Sequence, residues 1–386
     1  MDVDLAIVGA GLAGAALARA VRGLTVAVAA DEAAAPAAPA QGFDARVYAI
    51  TPGNAAFLAS LGAWQRLAPE RVTPVHAMRV FGDDGRSRLE FDAYRAGVAA
   101  LAWIVEDGAL RRALRESLTL SEHVGILASD RLQSMSIAPD RAGLQLRGGR
   151  ALHARLVVGA DGAQSLVRDQ AGIAVTDAAY AQRAVVANFS CERAHRHTAC
   201  QWFQGGPVLA LLPLPGDHVS MVWSTGEDEA GRLLALEPQA LCRAVAAASG
   251  HALGELGLVT PARAFPLRRL TARRMIAPRV ALVGDAAHVI HPLAGQGANL
   301  GLQDARRLAA VLAAREPMRD PGELRLLRRY ERARAGEVGA MDATVHGLYR
   351  LFRAEARFCA LLRNAGLNLT DHMPVIKNLL IRQAMA

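Results

Sequence analysis

Glycines and aspartates at the ends of apolar runs are the residues of this sequence best suited to chemistry. Residues 5–8 form a short apolar run, and Gly9-Ala10-Gly11-Leu12-Ala13-Gly14 follows directly. In a GxGxxG turn between strand and helix, the first glycine permits the tight turn and the second lets the backbone approach a pyrophosphate. The third lets helix and strand pack closely. Free N–H groups and partial positive charge at the helix N-terminus attract the phosphates. The spacing therefore predicts a dinucleotide site. An acidic residue that holds the ribose hydroxyls is expected at the end of the next strand. Ala29-Ala30 stand there, with Asp31 and Glu32 immediately after. Asp31 either takes that role or is a loop residue without one.

Two later stretches repeat the pattern. Leu156-Val157-Val158-Gly159-Ala160 runs into Asp161-Gly162, which is also a common turn pair. Arg168 follows on a short helix. Val280-Ala281-Leu282-Val283 then delivers Gly284-Asp285 to the carboxyl end of a buried strand, where α/β sheets bind ligands. His291-Pro292-Leu293-Ala294-Gly295-Gln296-Gly297-Ala298-Asn299 leads on into a helix. Its glycines and helix start provide backbone donors suited to the negative charge of a reduced flavin ring. His288 and His291 lie three apart on a loop with no third ligand, which is poor for a metal. Neither GxSxG nor HExxH occurs.

Composition narrows the classes. The 386 residues suggest two or three domains at roughly 150 residues each. Apolar residues make up 52% and charged residues 21%, a globular balance. The net charge of +8 comes almost entirely from arginine, since Lys377 is the sole lysine. A solvated basic surface accounts for it; attraction to an anionic membrane or cofactor is the sharper reading. No lysine-rich tail or zinc-finger spacing points to nucleic acid. Cys191, Cys200, Cys242 and Cys359 form no CxxC pair and suit a reducing cytosol. The N-terminus enters a strand with no charged leader, and no apolar run reaches the roughly 20 residues of a bilayer span. A cytoplasmic protein is expected, with peripheral contact at the inner face of the cell membrane left open.

Positioning the three segments requires parallel strands early, midway and late in the chain. Residues 5–8, 15–21 and 25–28 read as strand, helix and strand. Residues 33–40 (AAAPAAPA) read as a loop because proline stops a helix. Residues 43–70 read as mostly helical, with apolar residues at helical spacing over 54–67. Residues 76–97 alternate around Gly82-Asp83-Asp84-Gly85, a hairpin signal. Residues 105–120 form an amphipathic helix, 123–160 short strands, 180–225 a strand-rich region, 299–314 a long helix, and the chain from about 322 an arginine-rich helical region. The fold class is α/β. A discontinuous Rossmann-like domain (1–75, 98–175 and 265–321) receives a mostly antiparallel β insert (76–97 and 176–264). A helical region (322–386) follows.

Together these segments resemble the FAD-dependent aromatic hydroxylases related to p-hydroxybenzoate hydroxylase, most closely the ubiquinone-biosynthesis hydroxylases (UbiH/UbiF/VisC family). The resemblance covers nearly the whole chain. Phe43-Asp44-Ala45-Arg46-Val47-Tyr48-Ala49-Ile50 looks like that family's flavin-contacting arginine segment. Trp103-Ile104-Val105-Glu106 and Asp161-Gly162 also fit, the latter lying near both FAD and the nicotinamide nucleotide in relatives. LVGDAAHVIHPLAGQGANLGL at 282–302 is the most specific stretch. The tail 350–386, with Leu361-Leu362-Arg363-Asn364-Ala365-Gly366-Leu367, looks like the ubiquinone group. The resemblance implies FAD held by Gly9, Gly11, Leu12, Ala13, Gly14, Arg46, Asp161 and Gly162. Asp285 would contact its ribityl or pyrophosphate region. Pro292, Gly295, Gln296, Gly297, Ala298 and Asn299 would lie beside the flavin ring.

The same resemblance implies NAD(P)H as reductant and O2 as co-substrate, with a C4a-hydroperoxyflavin hydroxylating the ring of a polyprenyl phenol in ubiquinone biosynthesis. The flavin performs the chemistry, so no catalytic side chain is assigned. The protein positions the ring and excludes water. Trp202, Phe203, Leu212 and Trp223, with His291 and Pro292, are the pocket candidates; ordinary sheet core is the alternative. A prenylated substrate would be met at a membrane surface. There Arg325, Arg328, Arg329, Arg332 and Arg334 would dock, unless they form a solvated helix face. A ubiquinone-biosynthesis complex is a further partner in this reading. Two other readings stay open: a flavin monooxygenase or reductase on another aromatic or isoprenoid substrate, and a non-catalytic FAD-bound accessory subunit of a membrane-associated biosynthetic complex.

Overall fold

A computed structural model describes residues 1–30, 42–84, 87–128, 130–290 and 297–353. The chain opens with β1 (Asp2–Val8), α1 (Leu12–Ala20) and β2 (Val26–Ala30). β3 (Val47–Ile50) and α2 (Pro52–Ser60) follow, then β4 (Thr73–Val75) and the hairpin of β5 (Ala77–Phe81) and β6 (Arg88–Asp92). β7 (Ala102–Glu106) leads into α3 (Asp107–Thr119). β8 (Val124–Ala128), β9 (Leu132–Ile137), β10 (Ala142–Leu146) and β11 (Ala151–Gly159) precede the short α4 (Leu166–Gln170). Next come β12 (Val175–Cys191), β13 (Thr198–Phe203), β14 (Val208–Leu214) and β15 (His218–Gly226), then α5 (Glu227–Leu234) and α6 (Pro238–Ala248). β16 (Leu256–Leu258), β17 (Arg263–Ala272), β18 (Ile276–Ala277), β19 (Val280–Leu282) and β20 (His288–Val289) lead to α7 (Gly297–Ala313) and α8 (Leu324–Arg353).

Three sheets organise these elements. In the first, β19, β11, β1, β2 and β8 lie side by side and parallel. Leu5, Ile7, Leu156, Val157, Val158, Val280 and Leu282 are fully buried, which is why these runs lack polar alternation. The second sheet runs β20-β17-β12-β15-β14-β13-β5-β6, with β16 also on β12. It is antiparallel apart from the β13–β5 pair. One of its faces packs Val185, Ala187, Phe189, Leu209, Leu211 and Met221 against α5 and α6. The small sheet β3-β7-β4 packs on its other face, where Leu212 and Leu214 meet Val47, Ala49, Val75 and Ile104. Tyr48 and Ile50, on the opposite side of β3, belong to the main core.

Residues 43–70 depart from the helical expectation. Residues 47–50 form a strand because they pair antiparallel with β7, a partner more than 50 residues away that local spacing does not reveal. α2 stops before Gly62, which sits in the left-handed region at φ +72. A 3-10 turn, Trp64–Arg66, replaces the rest of the expected helix.

The first glycine turn is packed backbone against backbone. A Cβ on Gly14 would lie 2.0 Å from the Gly9 carbonyl oxygen, and one on Gly9 would lie 2.3 Å from that of Ala160. A Cβ on Gly11 would meet nothing within 4 Å. Gly14→Ala is therefore expected to lower the thermal midpoint of the ligand-free protein by at least about 3 °C, whereas Gly11→Ala leaves it nearly unchanged. Equal melting of the two variants in scanning fluorimetry would contradict this packing.

Candidate cofactor site

Val8 pairs in register with Gly159, and Gly159 with Leu282. β1, β11 and β19 therefore end level, and the glycine turn and the two glycine–aspartate segments leave adjacent strands at their carboxyl ends. Backbone bonds join them: the Ala160 N–H donates to Val8 O at 2.8 Å and Val283 N–H to Gly159 O at 3.0 Å, while Gly9 N–H donates to Ala29 O of β2 at 2.8 Å. Such strand ends are the ligand sites of open α/β sheets. Gly11 is the N-cap of α1. No side chain caps that helix, and no acidic residue stands in its first turn. The open space above Gly11 leaves this helix N-terminus accessible to a diphosphate, so the residues present fit a dinucleotide. Leu12 is buried in the core, while Ala13 lies against Gly284. Asp285 is exposed on the 3-10 turn Gly284–Ala286.

Asp161 serves its own segment. The Ser165 hydroxyl donates to Asp161 Oδ1 at 2.5 Å, and Leu166 N–H to Oδ2 at 2.8 Å, which caps α4. Gly162 turns at φ +84. The buried Arg168 guanidinium donates to Ala163 O and, at 3.2 Å, to Ala286 O, tying the second segment to the third.

Arg46 is exposed at the start of β3, its guanidinium 5.2 Å from the Tyr48 ring. The Tyr48 hydroxyl donates to Asp107 at 2.8 Å, and Arg111 donates to the same oxygen at 2.7 Å. Burial, with Asp107 adding to it, pushes the Tyr48 hydroxyl well above its usual range. The stretch before Arg46 is held by Glu106, which accepts from the Asp44 N–H at 2.6 Å and from both Nε and NH2 of Arg71 at 2.8 Å. Asn188 of the second sheet donates to Asp44 O at 2.9 Å. These contacts bring the arginine segment, the small sheet and the antiparallel sheet together.

Gly297 and Ala298 are the half-buried first residues of α7. Asn299 is fully buried and clamps α7 to the end of β3: its amide donates to Ala49 O at 2.8 Å, and its Oδ1 accepts from Thr51 N–H at 3.1 Å and Asn54 at 2.9 Å. These contacts join the start of α7 to the small sheet and to α2. Asp31, His291, Pro292, Gly295 and Gln296 lie outside the described residues, as does the tail from 354.

Asp304, which motif reasoning missed, joins this centre. Its Oδ2 accepts from Gly284 N–H at 2.9 Å and from His288 Nε2 at 2.6 Å, and its Oδ1 from Arg334 Nε at 2.7 Å. Burial alone would lower the His288 pKa, but the charge and hydrogen bond of Asp304 raise it above 6.5. Burial would raise Asp304, yet His288, Arg334 and the Gly284 N–H hold it below 3.8. The available signal was a carboxylate set in the apolar stripe of α7. Arg334 likewise stands on the stripe of Leu327, Tyr330 and Val338 and is 1% exposed. It is therefore not part of an arginine docking face, and Arg329 pairs with Glu316.

The pocket candidates divide by sheet face. Trp202 and Trp223 both flank Leu209 in the ladder and pack into the cluster under α5 and α6, away from the small sheet. Phe203 faces the opposite way but packs with Val80, Leu89 and Val208 at the β5–β6 hairpin. Leu212 alone of these four packs with Phe43, Val47 and Ala49 of the arginine segment.

A parallel sheet with a glycine turn and two glycine–aspartate segments at adjacent strand ends, and an antiparallel sheet packed over its arginine segment, defines an FAD-binding hydroxylase architecture. Comparison with known proteins agrees. The FAD binding domain family model matches residues 2–342. The ubiquinone hydroxylase UbiL of Rhodospirillum rubrum is 35% identical over 99% of this chain and 89% of its own. The 3-demethoxyubiquinol 3-hydroxylase of Escherichia coli is 33% identical over 99% of this chain and 98% of its own. The crystal structure of PqsL, a probable FAD-dependent monooxygenase from Pseudomonas aeruginosa, superposes with a TM-score of 0.77 at 25% identity, covering 95% of this chain and 99% of that one. The chain belongs to the FAD-binding domain family, within its ubiquinone-biosynthesis hydroxylase group.

Two outcomes follow from the buried contacts. Asn299→Ala leaves the Thr51 N–H without its side-chain acceptor in the core, while the Asn54 amide keeps Thr51 Oγ1 and the residue-299 carbonyl, and is expected to cost about 1–3 kcal/mol in chemical denaturation; an unchanged denaturation midpoint would remove the clamp. For the ion pair, the raised pKa of His288 contributes stability fully present below about 6.5 and lost as pH rises through the folded value. The depressed pKa of Asp304 contributes stability present above about 3.8 and lost as pH falls through its own. The difference in thermal midpoint between wild type and Asp304→Asn is thus expected to peak between these values and narrow on either side. A difference that keeps widening above pH 7 is the contrary result.

Proposed function

We propose that the chain is an NAD(P)H-using, FAD-dependent monooxygenase that hydroxylates the aromatic ring of a polyprenyl phenol in ubiquinone biosynthesis. The observation that carries this reading is the level ending of β1, β11 and β19, which gathers the Gly9–Gly14, Asp161 and Asp285 segments, in a chain whose relatives are named ubiquinone hydroxylases. The pairing of β17 with β12 supports drawing residues 263–272 with the substrate body in this proposal.

Bound FAD would supply the redox chemistry: two electrons from NAD(P)H and one oxygen atom of O2 for the ring, the other leaving as water. The chain's own groups bind and orient. The N-terminus of α1 takes the diphosphate through its backbone N–H groups. The exposed Asp285 would hold the ribityl or pyrophosphate region, and Arg46 would offer its guanidinium to the cofactor. The sheet face bearing Leu212 covers the ring and keeps water out. Trp202 and Trp223 support that sheet from behind. No helix among the described residues is long and apolar enough to cross a membrane. A prenylated substrate partitions into lipid, so we place its delivery at an anionic membrane surface, with Arg325, Arg328 and Arg332 exposed on α8 to meet it.

The test is turnover. The purified yellow protein should oxidise NAD(P)H in the presence of a prenylated phenol and O2 and yield a product heavier by one oxygen atom. Turnover only on other rings would move it to a different substrate class, and bound FAD that no reductant reduces would make it an accessory subunit. Asp285→Ala is expected to be purified with little or no FAD; flavin content equal to wild type, read from absorbance, would remove Asp285 from the site.

A further inference from the structure

We propose that Asp304 and Arg334 are positioning residues for the cofactor: Arg334 on α8 orients the Asp304 carboxylate, and that carboxylate sets the Gly284–Asp285 turn. The inference rests on the FAD reading above and extends it to two residues that need not touch the ligand.

A single carboxylate grips both ends of the turn, Gly284 through its N–H and His288 through Nε2. Its other oxygen is taken by Arg334. Asp304, Arg334 and His288 are 0%, 1% and 3% exposed, so water does not compete for these bonds. Arg334 also donates to Leu300 O and to the Gln303 side chain, both at 3.3 Å, and pairs with Glu337. One turn earlier on α8, the Tyr330 hydroxyl donates to Leu282 O at 2.8 Å, at the strand end where the turn begins. The turn has little freedom beyond this. A Cβ on Gly284 would lie 3.2 Å from Ala13 Cβ in the first turn of α1, so any shift of Gly284 also changes its fit against the diphosphate helix. Two groups that contact FAD in our reading, Asp285 and the α1 N-terminus, are therefore registered against each other through Asp304.

A second ion pair provides the control. Arg269 of β17 donates to Asp342 at 2.9 Å and fastens α8 to the antiparallel sheet, without touching the turn. Loosening α8 there disturbs its docking but not Asp304.

The experiment is FAD titration of the apoprotein by flavin fluorescence quenching, with melting recorded alongside. Asp304→Asn and Arg334→Gln should each weaken FAD binding about tenfold or more, the equivalent of one lost charge-assisted hydrogen bond. Arg334→Lys should recover part of that loss, and Arg269→Gln should stay within about twofold of wild type. In the double variant Asp285→Asn/Asp304→Asn the loss should be smaller than the product of the single losses, because both act on one turn. Wild-type affinity in Asp304→Asn overturns the proposal. So does an affinity loss in Arg269→Gln equal to that in Arg334→Gln, which would mark general destabilisation. If Asp304→Asn does not fold, the comparison of Arg334→Lys with Arg269→Gln decides it by the same criterion. Failure of the wild type itself to bind FAD overturns the underlying site reading, a result distinct from a variant that binds as well as wild type.

Discussion

The level ending of β1, β11 and β19 is the constraint on which the rest of the structure depends. Parallel strands pair in one register, and a slip of one residue turns every side chain to the other face. Leu5, Ile7, Leu156, Val158, Val280 and Leu282 are packed to 0% exposure, so a slip would force both faces of the sheet to repack. Once it is held, the residues just beyond each strand are neighbours wherever they stand in sequence. The stretch between β11 and β19 can then carry six of the nine strands of the antiparallel sheet, because the entropic cost of a longer connection grows only slowly with length.

The small sheet β3-β7-β4 converts that constraint into a two-sided site. Alternation along β3 sends Tyr48 and Ile50 into the parallel-sheet core and Val47 and Ala49 towards Leu212 and Leu214 of the antiparallel sheet. Arg46 enters this strand from its exposed end. Buried polar contacts hold the arrangement where apolar packing alone would let it slide: Asn299 on Ala49 and Thr51, Glu106 on Asp44, and Asn188 on the Asp44 carbonyl. Each is directional, and each would leave an unsatisfied buried group if the sheet moved.

What was legible in the sequence follows from how local each signal is. The apolar runs ending in glycine, two of them followed by aspartate, announced the three strand ends, since burial on both faces and the turn chemistry of glycine are local properties. The strand at 47–50 was not legible, because its conformation comes from pairing with β7, and its alanine-rich surroundings suit a helix equally well. For the two tryptophans, the register that pairs both with Leu209 puts them on one face of the sheet, and nothing in the sequence said that α5 and α6 would cover that face rather than the other. Asp304 and Arg334 were legible in principle. Each stands where the helical repeat calls for an apolar residue, and a charge in an apolar stripe signals a buried partner. Reading Arg334 with its arginine neighbours concealed this, since composition ignores the phase of the helix.

The pairing of those two charges also bears on why α8 takes one position. Replacing a buried ion pair by apolar side chains often leaves stability unchanged or better, whereas removing one partner costs about 3–5 kcal/mol. A charge pair therefore penalises wrong registers more than it rewards the right one. Slid by one turn, α8 would leave Asp304 facing apolar residues and lose the Tyr330 bond to Leu282 and the Arg269–Asp342 pair at the same time. An apolar stripe offers much the same contacts one turn up or down. The polar contacts of α8 exclude such slides, and the element they hold in register is the one that carries Arg334 to the underside of the Asp285 turn.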